Sequence, residues 1–434
     1  MAEAVLARSG SQALPAGTPL GRPATTCRVC GSGDLDRFLD LGHMPPADQF
    51  CHAEDLARPK IHFPLEVFIC NACGFVQLGF VVSPEILYQD DYPYEASVTR
   101  AGRTHFHDLA ASAVERFGLG ANDLAVDIGS NVGVLLAAFK EFGVRVKGVD
   151  PAPNIAAIAR EHGIPTLGAF FGPDAARVVV DRQGQATVVT ATNVFAHVDD
   201  LDTFMTAVQA LLAPGGTLII EVPYFAKLLA GLEYDTIYHE HLSYIAVAPL
   251  VPFFSRFGMR IFDIEERDIH GGSIRLFVDR GEHPPETAVV DGFLAREREE
   301  GARDPARLRA FAAAVETNRQ ALIALVAGLR AAGKTLAAVS APAKGMTLLN
   351  YCHLGRETFE YVTEKSQLKI GRFTPGGHIP VVGDEELTRT RPDYALLLAW
   401  NFAAEIMANL HDYARAGGEF IVPIPRPQIV GCTR

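Results

Sequence analysis

The apolar positions of this chain fall into two alternating rhythms. Over 124–128 (LAVDI) they run almost unbroken, as in a strand covered on both faces. A glycine turn follows, and then a helical repeat (VLLAAF). Helical periodicity over 101–117 leads into this strand. After it the pattern predicts a strand ending at Asp150, a helix over 155–161, a strand near 165–167, a helix over 173–181 and a strand over 186–190. A helix over 201–212, the turn Pro214-Gly215-Gly216 and a strand over 217–222 come next. Strands alternating with helices predict a doubly wound parallel sheet whose ligand lies off the carboxyl ends of the strands. Asp127, Asp150, Asn193 and His197 fall on that edge, with Glu221, Pro223 and Tyr224 just after the last strand. Beyond Phe253 the pattern restarts. A strand over 275–278 and a long amphipathic helix over 308–329 precede a second β/α run, with strands at 335–339, 359–363 and 394–399 and a helix over 346–352. It reads as a smaller Rossmann-like repeat. The expected fold is α/β in four parts: a disordered tail over 1–25, rich in Ala, Gly, Pro and Ser; a small cysteine-bearing module over 26–95; a central domain over 96–255; and a C-terminal domain over 256–434.

Composition narrows the partners. A net charge of −12 over 434 residues argues against nucleic acid or an anionic membrane, which call for basic stripes. No apolar run approaches the ~20 residues of a membrane span, and the start of the chain lacks a signal-peptide pattern. Four of the seven cysteines stand in two C-x-x-C pairs, a usage that suits a reducing compartment better than a disulfide scaffold. A cytoplasmic protein is expected.

Those pairs are Cys27-Arg28-Val29-Cys30 and Cys70-Asn71-Ala72-Cys73, each followed by a glycine (Gly31, Gly74). Doubled knuckles place four thiolates around one tetrahedral ion with no open position, which is structural zinc, a staple for a module short of core. Cys51, Cys352 and Cys432 read as bystanders, and His43, His52 and His62 as surface residues. At the centre of the chain, Asp127, Gly129 and Gly133 form a D-x-G-x-x-x-G turn, and Asp150 ends the next strand about 20 residues on, the spacing at which a carboxylate grips ribose hydroxyls. No Gly-Lys-Ser/Thr opens the helix, so this is not a P-loop. Asn131 replaces a glycine of the dinucleotide fingerprint. The turn looks like the S-adenosylmethionine (SAM) site of class I methyltransferases. That likeness implies cofactor contacts from Asp127, Gly129, Ser130, Asn131, Asp150, Pro151, Asn193, Phe195 and His197.

A third cluster, Tyr234 to Tyr244, holds His239, Glu240 and His241 in a row behind Tyr238. It is not H-E-x-x-H, and adjacent residues point apart, so a catalytic zinc is a poor reading. A histidine beside a carboxylate can instead act as a general base, and a solvated polar loop is the bland alternative. Tyr92-Pro93-Tyr94, after Asp90-Asp91, can be plain packing or can offer phenols to a polar substrate.

Taken together, the paired knuckles, D-I-G-S-N-x-G, the stretch Asn193-Val194-Phe195-Ala196-His197-Val198-Asp199-Asp200 and above all Tyr238-His239-Glu240-His241-Leu242-Ser243-Tyr244 resemble the sugar C-methyltransferases of antibiotic deoxysugar pathways, over about 26–425. Those enzymes methylate carbon 3 of nucleotide-linked 4-keto-6-deoxysugars. The resemblance implies SAM and a structural zinc ion as cofactors, His241 as catalytic base, Tyr238 and Glu240 lining the site, and a tyrosine of the Tyr92–Tyr94 stretch reaching in. Tyr92 is taken as catalytic, and Tyr94, Tyr224 and Lys344 as substrate contacts. Lys344 lies in a turn (340–345) at a helix N-terminus that can hold a diphosphate or be a bare loop. The Gly/Pro-bearing stretch 365–380 can close over the nucleotide, a thymidine diphosphate in the family's habit. Two positions depart from the family pattern: Thr192 where Asn is expected and Ser340 where Gly is expected. A monomer or weak dimer is expected. Methylation of a sugar hydroxyl or amine, which needs no ketone, and a degenerate, non-catalytic docking protein are the competing readings. Intact Asp127, Gly129 and Asp150 argue against the last.

Overall fold

Burial alternates along Phe63–Cys70, with every second side chain hidden, as a strand covered on one face requires. It forms the middle of an antiparallel sheet with Leu35–Met44 on one side and Val76–Leu78 on the other. A fourth strand of this sheet, Ser243–Tyr244, comes from far along the chain and pairs with Val76–Leu78. In the computed structural model, residues 20–88, 92–95, 100–269, 271–284 and 287–431 are described. Asp90, Asp91 and Cys432 lie outside them, as does most of the expected tail. Its last residues are not a tail: Gly21–Pro23 pairs antiparallel with Phe80–Val82, and Ala24 N–H donates to Gly79 O at 2.9 Å. Backbone pairing of this kind leaves no apolar period to read.

Leu124–Ile128 is buried at every position and lies inside a seven-stranded sheet. The strands Leu212–Pro223, Ala186–Thr192, Leu124–Ile128, Arg145–Asp150 and Thr166–Gly168 run parallel in that order. Beside Leu212–Pro223 the sheet continues through Ser273–Asp279 and then Arg260–Arg267, each antiparallel to the strand before it in the sheet. The central unit therefore extends to Asp279, past the expected boundary at 255. Only a tight connection with Gly271 and Gly272, both at positive φ, separates the last two strands, and so short a link allows a hairpin but not a parallel crossover. The third unit has its own sheet, with strands Val381–Gly383, Val362–Glu364, Leu336–Val339, Tyr394–Leu397 and Glu419–Val422 parallel and Gln428–Val430 antiparallel at the edge. Before it runs the helix Pro305–Ala331, whose N-cap Asp304 accepts from Ala306 N–H.

One apolar cluster is common to these parts. Leu65 and Val67 of the first sheet, Tyr234, Ile237 and Leu242 of the polar loop, Leu308 and Phe311 of the long helix, and Leu348 and Leu396 of the third unit pack together.

Candidate active site

The cysteine knuckles are closed by backbone bonds that only a left-handed residue permits. Gly31 and Gly74 sit at φ +75 and +79, and their N–H groups donate to Cys27 O and Cys70 O. This brings the four sulfurs within 4.8 Å of one another, with Cys27 Sγ 3.6 Å from Cys73 Sγ and Cys30 Sγ 3.5 Å from Cys70 Sγ. A tetrahedral ion at ~2.3 Å from each thiolate needs sulfurs about 3.8 Å apart, so the donor set fits zinc and fills its coordination. The bond from Cys73 pulls the Cys27 thiol down to about 5. Cys51 and Cys352 are buried elsewhere, and His43, His52 and His62 are exposed.

At the carboxyl edge of the central sheet lies a cavity of about 280 Å³ walled by Asp127, Gly129, Ser130, Asn131, Asp150, Pro151, Thr192, Asn193 and His197. Asp127 accepts from Thr190 Oγ1 at 2.6 Å, and burial pushes its carboxyl up to about 7. The Asp150 carboxylate accepts from Asn131 N–H at 2.8 Å and Ala152 N–H at 2.9 Å. It therefore ties both strand-end turns together, with a lone pair on each oxygen to spare. Asn131 and Asn193 occupy left-handed backbone (φ 49 and 55). What crowds Gly129, at φ +66, is its own neighbourhood: a Cβ there would stand 2.3 Å from Val194 Cγ2. Buried polar atoms on this wall have no partner among the described residues, namely Ser130 Oγ, Asn193 Oδ1 and His197 Nε2. The carboxyls of Asp127 and Asp150, with three orphaned polar atoms beside them, fit a cofactor bearing ribose hydroxyls, an amino acid group and a positive charge.

A second cavity, about 460 Å³ and within the usual range for small-molecule sites, opens between the central unit and the third. The two share Tyr92, Tyr94, Phe106, Asn193, His197 and Glu240 as walls. The polar loop supplies Thr236, Tyr238, Glu240 and His241 to the larger one. His241 Nδ1 lies 2.7 Å from Thr236 O. A carbonyl can only accept, so Nδ1 carries the proton and Nε2 is the acceptor nitrogen, 2.7 Å from the Tyr238 hydroxyl. Glu240 is buried and accepts from Tyr92 Oη at 3.0 Å. His197 lies tilted beside His241 (ring centroids 5.0 Å) and meets Tyr88 Oη at Nδ1, 3.1 Å. Burial pulls its imidazole down to about 4, so it is neutral. His239 points the other way, into the first sheet: Nε2–H donates to Phe63 O at 3.2 Å, and it lines neither cavity.

The third unit contributes Ser340 and Lys344 to the larger cavity. Ser340 adopts φ 68, the left-handed conformation for which glycine is the usual residue. Lys344 Nζ sits 4.5 Å over the Trp400 ring, and burial lowers its pKa while Asp235 and Glu233 oppose this. One donor of the 340–345 turn is already taken, since Ala341 N–H donates to Glu364 at 2.9 Å.

Two expected contacts lie elsewhere. Tyr224 is 1% exposed, with its hydroxyl donating to Glu297 at 3.0 Å. Pro223 faces the larger cavity, and successive residues of an extended chain point to opposite sides, which sends Tyr224 into the core. Phe195 is fully buried against Phe204, Phe253 and Phe254 and walls neither cavity, so it props the His197 turn instead of touching a ligand. The spacing of the sequence carried no signal for Asp48, Tyr88, His105 or Lys369, each of which walls a cavity. No helix among the described residues is long and apolar enough to cross a membrane.

Comparison with known proteins matches residues 27–88 to a zinc binding domain family, 103–262 to a methyltransferase domain family and 268–425 to a C-methyltransferase C-terminal domain family. The C-methyltransferase NovU of Streptomyces niveus is 39% identical over 411 residues, 94% of this chain and 97% of that protein. The ubiquinone biosynthesis O-methyltransferase of Methylobacterium sp. (strain 4-46) is 32% identical over 143 residues, 30% of this chain and 56% of that protein. Among solved structures, magnesium protoporphyrin IX methyltransferase from Synechocystis PCC 6803 with bound SAM shares 14% identity at a TM-score of 0.32, covering 41% of this chain and 79% of that chain. With three domain families matched in order and a relative aligned almost end to end, the chain belongs to the SAM-dependent C-methyltransferases, the family of NovU.

Proposed function

We propose that this enzyme methylates carbon 3 of a nucleotide-linked 4-keto-6-deoxysugar through an enolate, with His241 as the base. The observation that carries the reading is the position of the Tyr238–His241 loop where the cofactor cavity and the larger cavity share walls. A sugar carbon becomes nucleophilic only once a neighbouring ketone acidifies its proton. His241 Nε2 takes that proton, the Tyr238 hydroxyl now bonded to Nε2 turning aside. Thr236 O holds Nδ1–H and steadies the imidazolium that forms. The Tyr238 hydroxyl, the orphaned Nε2 of His197 and, once it releases Glu240, the Tyr92 hydroxyl are the donors available to the enolate oxygen. SAM in the smaller cavity supplies the electrophilic methyl group. Carbon 3 gains the methyl in exchange for its proton, which leaves through His241. Lys344 and Lys365 on the wall of the larger cavity support a nucleotide diphosphate, thymidine diphosphate by resemblance, although Glu364 already occupies one backbone donor there. Tyr94 adds an aromatic face.

The test uses a 4-keto nucleotide sugar in deuterium oxide with S-adenosylhomocysteine in place of SAM. Wild type should exchange the carbon-3 proton. His241→Ala should bind S-adenosylhomocysteine normally yet exchange ~10²–10⁴ more slowly. Equal exchange moves the base to another residue. Methylation of a sugar lacking the ketone replaces the enolate with transfer to oxygen.

A further inference from the structure

Glu240 is 2% exposed. The titratable groups facing it come from every surrounding element: Asp48 and Tyr88 from the zinc module, Tyr92 and Tyr94 after it, Tyr238 and His241 from its own loop, His197 from the central sheet and Lys369 from the third unit. The cation whose charge reaches it is Lys369, and that ammonium is already committed. Its Nζ lies 3.2 Å from Asp48 Oδ1 and 2.8 Å from Ala341 O, with both side chains buried on the wall of the larger cavity. Lys344 and Lys365 lie on the same wall but are less buried, so the buried acids and amines of the chamber are two carboxyls and one ammonium. Two carboxylates sharing a single counter-charge out of water do not both ionise. Asp48 is the one in contact with the ammonium. Glu240 has a phenol at Oε2 and no hydrogen bond at Oε1 among the described residues.

We propose that Glu240 works as a neutral carboxylic acid, kept protonated because Asp48 holds Lys369, and that it donates a hydrogen bond to the oxygen of the bound sugar that gathers negative charge. The role rests on the enolate chemistry proposed above. No bond forms or breaks at Glu240, which lends its proton in a hydrogen bond and keeps it. Burial raises its carboxyl well above the usual range, with Asp48 adding to the effect, while Tyr92 and Lys369 pull the other way. Asp48 and Lys369 are positioning residues. They touch the acid's electrostatic setting and not the reacting atoms.

Four variants separate this from a structural role, each first checked for S-adenosylhomocysteine binding by calorimetry. Glu240→Gln keeps a neutral donor and should lose no more than about tenfold in kcat, whereas Glu240→Ala should lose the ~10²–10³ typical of a deleted oxyanion donor. Asp48→Asn frees Lys369 to pair with Glu240, ionises it, and should cost as much as Glu240→Ala. Placed on Glu240→Gln, the same Asp48→Asn change should cost little, since no ionisable group remains. A direct reading comes from difference infrared spectra at neutral pH without any sugar. Wild type should show the deuterium-sensitive carbonyl stretch of a protonated carboxyl, lost in Glu240→Gln and Asp48→Asn. Carboxylate bands in its place overturn the proposal, as does Glu240→Gln matching Glu240→Ala. Should wild type fail to exchange the carbon-3 proton while the acid band is present, it is the enolate reading that falls and the neutral acid that stands.

Discussion

His239, Glu240 and His241 are consecutive, yet each meets a different fate, because residues of an irregular loop project in different directions. His239 is buried against Phe63, Glu240 enters the cavity junction, and His241 faces the larger cavity. The His239 imidazole, pulled down to about 4 by burial, makes a pH prediction. Its folded value lies below the unfolded ~6.5, so the unfolded chain binds the extra proton between those values. Its penalty is absent above ~6.5 and grows as pH falls toward 4, on the order of 1 kcal/mol per pH unit. His239→Gln should therefore flatten the acid side of the stability curve relative to wild type, measured by urea denaturation. Parallel curves would place the imidazole in water. Asp150 belongs to the same scale: Asp150→Ala should weaken S-adenosylhomocysteine by about 1–3 kcal/mol, the size of a lost charge-assisted hydrogen bond. Part of that loss will come from the Asn131 and Ala152 turns it anchors. Unchanged affinity in calorimetry would remove the carboxylate from the cofactor site.

At the scale of elements, the polar loop over 234–242 is held by the zinc module. Ser243–Tyr244 adds a strand to its sheet, and Leu78 N–H donates to Leu242 O at 2.9 Å. Arg28, between the first two cysteines, bonds Leu78 O, Leu242 O and Asp199. Metal analysis should find one zinc per chain. Its removal by a chelator should open the Leu78 amide to hydrogen exchange and depress turnover, and a Leu78 amide that stays protected would mean that the sheet holds the loop unaided. Cys70→Ala should give insoluble protein instead of a clean kinetic defect. Arg28→Met removes the guanidinium's bonds to Leu78 O and Leu242 O, the second of which keeps Leu78 N–H as donor, and should destabilise by about 1–3 kcal/mol, read from denaturant midpoints. A wild-type midpoint would show that water replaces the guanidinium.

For the whole molecule, the shared core and the bonds between Cys51 and Phe373, N–H to O in both directions, join the zinc module directly to the third unit. Lys369 and Asp48 lie 321 residues apart in sequence. These two parts should melt in one calorimetric transition, and a chain cut after Asp279 should fail to fold because Leu65, Tyr234 and Leu242 lose their partners on the helix Pro305–Ala331 and beyond. Two separate transitions would show that the common core is not cooperative.

What the sequence determined by itself is local. The C-x-x-C-Gly knuckles close on their own backbone bonds, a short, nearly unbroken apolar run that stops at a glycine turn suits a strand covered on both faces, and the spacing from Asp127 through Gly129 to Asp150 suits two neighbouring strand ends. The cysteine cluster, the alternation of strands and helices in the central unit and most of the residues walling the smaller cavity were legible for that reason. The tertiary structure alone decided which members of a polar cluster face a cavity, that Tyr224 and Phe195 turn inward, that the central sheet runs on to Asp279, and that Asp48, Tyr88 and Lys369 enter the chamber. Such placements depend on packing between segments hundreds of residues apart. The direction of a side chain, and with it the charge a buried carboxyl can hold, follows from the neighbours that packing assembles and from no spacing along the chain.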